Sequence, residues 1–198
     1  MTSHMDMLKR KEKGEYGYIR YYKYTKLLGS LVLAAMIAFV LLSMLFLFGD
    51  TARVIVVVAI LLTLPFAKML VAYIMCAKFQ PMKAEEAQSI QACVSETTEN
   101  LLFDVVITQY EGMLFYESML VKNGSVCALV LDAQYEQKKR TYKEALEKAV
   151  MNQKYDFHIH IYNDLEQYKK KIRSIHEPND QNRLIDHFMR EQILGFSV

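Results

Sequence analysis

Two apolar runs, Leu27–Phe48 and Val54–Ala77, stand on either side of the polar segment Gly49-Asp50-Thr51-Ala52-Arg53. A helix rises about 1.5 Å per residue, so roughly 20 apolar residues carry it across the hydrocarbon core of a bilayer. Both runs reach that length, and the segment between them allows only a tight reversal. The sequence therefore predicts a two-helix transmembrane hairpin over residues 27–78 (spans 27–48 and 54–77). A basic, Tyr-rich arm at 1–26 precedes it, and a domain at 79–198 follows. The first run exceeds the roughly 7–15 apolar residues of a secretory signal, and no small-residue cleavage pattern follows it, which predicts an uncleaved anchor.

Charge gives the hairpin a direction, because Lys and Arg near membrane ends stay on the cytoplasmic side. The arm carries Lys9, Arg10, Lys11, Lys13, Arg20, Lys23 and Lys26, and Lys78 and Lys83 follow the second run. The turn has Arg53 alone, offset by Asp50. This predicts a multi-pass protein of the plasma (inner) membrane with both termini cytoplasmic. Tyr16, Tyr18, Tyr21, Tyr22 and Tyr24 interleave with the arm's cations, and the chain has no Trp. Tyr therefore takes the interfacial aromatic role, with Arg20, Lys23, Lys26 and Lys78 expected on lipid head groups. The same interleaving suits nucleic acid, but it abuts an apolar run, so the lipid bilayer is the expected partner and nucleic acid is not.

Within the second run, Pro65 is expected to kink the helix and Lys68 to snorkel toward the cytoplasmic end or line a pore. Gly29, Ser30, Ala34, Ala35 and Ala38 offer a close-packing stripe for a homo-oligomer or a protein partner.

Residues 79–198 suffice for one cored domain. Lys83–Ser95 reads as a helix, acidic in its first turn, and Leu101–Gln109 as a buried strand. Met113–Val121 and Ser125–Leu131 flank Lys122-Asn123-Gly124, a hairpin signal because a type I′ turn needs positive φ at both central positions. Gln134–Lys154 is an amphipathic helix in which Glu136 and Arg140 are spaced to pair. Phe157–Tyr162 is a further strand. Asn163 with Glu166 opens a helix ending near Ile175, and a last helix carries Leu184, Ile185, Phe188 and Met189. The fold class is α/β (α+β), in the order α-β-β-β-α-β-α-α behind the hairpin.

Asp104, Gly112 and Glu117 carry a resemblance. The stretch from Asp104 to Met119, with the residues on to Tyr162, resembles nuclease-related domains of the restriction-endonuclease-like class. There an Asp opens a strand, a turn Gly follows, and the next strand ends in Glu-x-Lys. The resemblance implies two carboxylates holding a divalent metal (Mg²⁺) and a lysine activating water. Met119 occupies the lysine position. The family's element order, helix–three strands–helix–strand, would place the acidic motif at Asp132-Ala133-Gln134 instead.

Other motifs are plainer. His158 and His160 share a strand face and are the candidate metal ligands, with His176 or His187 to complete a site. Cys76, Cys93 and Cys127 form no C-x-x-C pair, which fits a reducing compartment, and Cys76 is expected to be buried. Lys138-Lys139-Arg140 and Lys169-Lys170-Lys171 read as solvated helix faces or contacts to an anionic leaflet. The seven glycines build no phosphate cradle, and no G-x-S-x-G occurs. The sequence thus points to a non-catalytic membrane scaffold or regulator that binds a partner or ligand and needs no cofactor. A pore-forming effector and a degenerate metal-dependent nuclease stand as alternatives.

Overall fold

A computed structural model describes residues 10–43, 50–94, 100–110, 112–150, 158–175 and 180–198. Residues 19–80 make one unit; residues 10–18 and 81–198 make the other.

The first unit is the hairpin. Helix α1 spans Tyr18–Ser43 and α2 spans Asp50–Ala77. Both are long and apolar enough to cross a membrane. Most of their outward side chains are apolar, as with Phe39, 73% exposed, and Leu64, 68% exposed. A Cβ on Gly29 would stand 2.7 Å from Met69 Sδ, so the missing side chain lets α1 approach α2. Helix α1 starts ahead of the apolar run, just after Gly17 at φ +82°. Helix α2 already includes Asp50–Arg53, where the sequence suggested a turn, and passes unbroken through Pro65. The rest of that turn, Gly49, lies outside the described residues. Lys23 Nζ donates to the carbonyl of Phe79 at 2.7 Å and to that of Ala77 at 3.5 Å, placing a cation on the carbonyl-rich end of α2.

The second unit is the α+β domain. Its elements are α3 (Ala84–Gln91), β1 (Leu101–Gln109), β2 (Gly112–Lys122), β3 (Ser125–Leu129), α4 (Tyr135–Val150), β4 (His158–Tyr162), α5 (Leu165–Ser174) and α6 (Asp180–Phe196). The order is the one expected. One sheet runs β1-β2-β3-β4, antiparallel except for the parallel β3–β4 pair that α4 connects. Each sheet face buries its own core. Tyr142 and Leu146 of α4 and Met189 and Ile193 of α6 cover one face. Ile90 of α3 and Tyr168 and Ile172 of α5 cover the other.

The β2–β3 turn forms at Asn123 (φ 53°) and Gly124 (φ 67°), both positive as a type I′ turn requires. Their amides donate to the two carboxylate oxygens of Asp186 on α6, at 2.7 and 3.1 Å. Asp186 is fully buried. Two local expectations shift by small steps. The N-cap of α5 is Asp164, which accepts from Glu166 N and Gln167 N, while the Asn163 side chain donates to Glu136. Arg140 pairs with Glu144 at 2.6 Å rather than with Glu136.

The arm is part of this domain from Arg10 to Tyr18. Phe103 N donates to the Gly14 carbonyl at 2.8 Å, and Lys13 Nζ to the Ser197 carbonyl at 2.7 Å. Gly14 lies at φ +89°, and a Cβ there would meet Leu102 Cδ2 at 2.7 Å. Tyr16 sets its ring edge-on to Phe103 and donates its hydroxyl to the Met82 carbonyl at 2.8 Å. This ring therefore serves the domain rather than an aromatic belt: Phe103 supplies the apolar wall and Met82 the acceptor.

Candidate functional site

Strands β1 and β2 pair in one constant register on both sides of a single step. Phe103 faces Ser118 and Val105 faces Tyr116, but Asp104 and Glu117 between them form no ladder pair. Side-chain alternation slips at the same step. On β1, Leu101 and Phe103 enter the α3/α5 core, and Leu102, Val105 and Ile107 enter the α4/α6 core. On β2, Leu114 and Tyr116 share the α4/α6 core with Met119 and Val121, although strict alternation would place the two pairs on opposite faces. Asp104 accommodates the slip with φ 53°, a left-handed conformation that Asp tolerates better than most residues.

Beside the slip, the Glu117 carboxyl feels the charges of two others, Asp132 and Asp104. Burial, opposed by the Leu131 amide hydrogen bond and reinforced by the charges of Asp132 and Asp104, pushes the Glu117 carboxyl up to about 7. Glu117 Oε2 accepts from Leu131 N at 2.9 Å, just past the end of β3. Asp132 Oδ1 accepts from Gln134 N at 2.9 Å and opens α4, while its Oδ2 accepts from the Tyr142 hydroxyl at 3.0 Å. Tyr142 lies edge-on to Tyr116, whose hydroxyl donates to the Tyr142 carbonyl at 2.8 Å. Burial and the Asp132 carboxylate push the Tyr142 phenol well above its ordinary range. The site lies where β3 gives way to α4, the strand end at which parallel α/β units gather functional groups.

Asp104 and Asp132, nominated with Glu117 by two different placements of one motif, thus both act on the Glu117 carboxyl through their charge. A carboxyl group titrating near neutrality can take or give a proton at ordinary pH. The Leu131 amide, however, steadies its ionised form. Met119, at the position where the resemblance requires lysine, is fully buried in the α4/α6 core. Among the described residues no three His, Cys, Asp or Glu side chains stand together as metal ligands.

The remaining candidates lie apart. His160 pairs in register with Cys127 and sits near Lys171 of α5; burial first, then the charges of Lys171 and His158, lower its pKa. His187 is on α6, across the sheet from α5, and His176 lies outside the described residues. In the hairpin, Lys68 and Arg20 are exposed, Lys26 lies over the Tyr22 ring and Lys78 over the Phe79 ring. Burial pushes the Cys127 thiol up to about 11, leaving it unreactive.

A cavity of about 310 Å³ that no motif announced opens beside β1, lined by Lys13, Tyr16, Gln91, Phe103 and Arg190 among others. Only the docking of the arm assembles it, so local patterning carried no signal for it. No protein-family model, curated protein or solved structure matches this chain.

Proposed function

We propose that this chain is a multi-pass protein of the inner membrane, with both termini on the cytoplasmic side. Its α+β domain binds a partner or ligand at the leaflet without catalysing a reaction. The observation that carries this reading is the pairing of two outward-apolar helices with a cored domain. Only Lys78, Phe79 and Gln80 separate the end of α2 from Pro81, where the domain resumes. A tether of that length keeps the domain beside the membrane whatever it binds. The burial of Met119 supports a non-catalytic role.

Alkaline extraction should leave the protein in the membrane pellet, and a fluorescent protein fused after Val198 should fluoresce in the cytoplasm. Release by alkali, or a C-terminal reporter active only outside, would overturn the reading.

A second reading, a membrane-anchored metal-dependent nuclease, is favoured by the charges of Asp104 and Asp132 acting on Glu117 and by the element order that the resemblance implies. Cleavage of DNA or RNA with Mg²⁺ or Mn²⁺, abolished by Glu117→Ala, would establish it in place of the first. A liposome leak altered by Lys68→Leu would instead assign a pore.

A further inference from the structure

Two chain connections lead from the domain to the hairpin, and both leave from one sheet face. Tyr16 packs on the α3/α5 core two residues before α1 begins. Met82, shortly after α2 ends, is buried in the same core and accepts the Tyr16 hydroxyl. The layer made by α3 and α5 is therefore the one from which both tethers emerge.

Helix α5 carries a larger excess of cations than α4. Its inward stripe is Tyr168 and Ile172, and its remaining charges are Glu166 against Lys169, Lys170, Lys171 and Arg173. Lys169 pairs with Glu166 at 3.1 Å. Lys170, Lys171 and Arg173 have no ion-pair partner among the described residues. On α4, across the sheet, Arg140 pairs with Glu144 and Lys143 with Glu147, and three acids stand against five cations, where α5 sets one acid against four. His158, exposed at the start of β4, lies on the α5 side. Besides Glu166, the acids within helices α3 and α5 are Glu85 and Glu86, both on α3.

We infer that the outer face of α5, with the adjoining start of β4, docks on anionic lipid head groups of the leaflet that holds the hairpin. The inference rests on the membrane reading above and adds a surface to it. Unpaired cations projecting from the layer that carries both tethers are what a negatively charged leaflet attracts. Each basic residue brought to such a surface strengthens attachment about fivefold, an effect confined to within a Debye length and weakened by salt. The short tether turns this modest attraction into an intramolecular docking step.

The chain contains no Trp, so Ser174→Trp at the exposed end of α5 introduces its sole indole. The full-length variant is reconstituted into phosphatidylcholine vesicles with or without phosphatidylglycerol, each containing a brominated lipid as quencher. Quenching should appear with phosphatidylglycerol, fade at high salt, and fall several-fold when Lys170, Lys171 and Arg173 are all changed to Gln. An indole at Lys148→Trp on α4 should stay bright in both lipids. Equal quenching in neutral and anionic vesicles, or none in either while the protein resists alkaline extraction, would overturn the docking alone. Loss of the protein to alkaline extraction would overturn the membrane reading beneath it. Shielding of the indole by an added acidic peptide or RNA, with no response to lipid, would reassign the face and refute lipid docking.

Discussion

The hairpin and the domain use the same apolar residue types in opposite ways. In α1 and α2, Phe39 and Leu64 point away from the protein, and close packing depends on a missing side chain at Gly29. In the domain, residues of equal hydrophobicity, such as Leu120 and Ile193, are wholly enclosed in two cores. The difference lies in where the water is excluded from. A lipid phase accepts an outward Phe at no cost, whereas the domain must remove its own apolar surface from water and satisfy every polar group that goes with it. In the domain core Ser118 Oγ and Tyr168 Oη accordingly meet in a buried contact at 3.0 Å.

That contrast breaks most readily at Met119. Replacing it by Lys, the residue the resemblance would have there, places a charge in a fully enclosed site. We expect a loss of about 4 kcal/mol or more of domain stability, enough to unfold it, with no gain of cleavage. Phe39→Ala should leave domain unfolding unchanged in the same denaturation assay.

The next effect is a pH dependence. The Glu117 carboxyl moves from an ordinary 4.5 to about 7 on folding, so the folded state holds its proton more tightly. Its contribution is fully present below 4.5 and is lost as pH rises through 7, on the order of 3 kcal/mol in total. Asp186, raised by burial, has the same sign. His160, lowered, has the opposite sign. Comparing wild type with Glu117→Gln between pH 5 and 8 isolates the first: the variant's stability should change less over that range. Parallel curves would show that Glu117 is not the group responsible.

Asp186→Ala removes the acceptor for two turn amides and should cost about 2 kcal/mol. Amides of Asn123 and Gly124 should exchange faster with deuterium, and unchanged exchange would contradict the role. Asp164→Ala at the α5 cap should cost about 1 kcal/mol by chemical denaturation, the smallest change of the series.

Much of the domain was legible because its signals are local. Leu101–Gln109 is a strand over the expected residues, and Asn123-Gly124 turns as its backbone freedom dictates. What escaped depends on distant partners. Glu136 is engaged by Asn163 from beyond β4, leaving Arg140 to Glu144, although helix spacing allows either partner. Asn163 lost the cap position to the next residue because β4 pairs through Tyr162, and its side chain then turns toward α4. Residue type nominated Asp104, Glu117 and Asp132 one at a time. That Asp104 and Asp132 both act on Glu117 depends on how β1, β2 and the start of α4 come together, which residue type alone does not show.

The arm's attachment to β1 has a consequence for the order of folding. In chain order the hairpin is an insertion that interrupts the domain, since Tyr16 and its acceptor at Met82 are 66 residues apart on either side of it. The edge of β1 is closed by Gly14 from before the insertion and by Val198, whose amide donates to the Val106 carbonyl, from after it. During synthesis the arm emerges first and must wait, while α1 and α2 settle, for the strand it will cover. A preformed hairpin shortens the loop that this closure must span and lowers its entropic cost. Expressing residues 81–198 alone would leave part of that edge bare, ready to pair with another chain. Supplying residues 10–18 as a fused segment should restore a monodisperse domain.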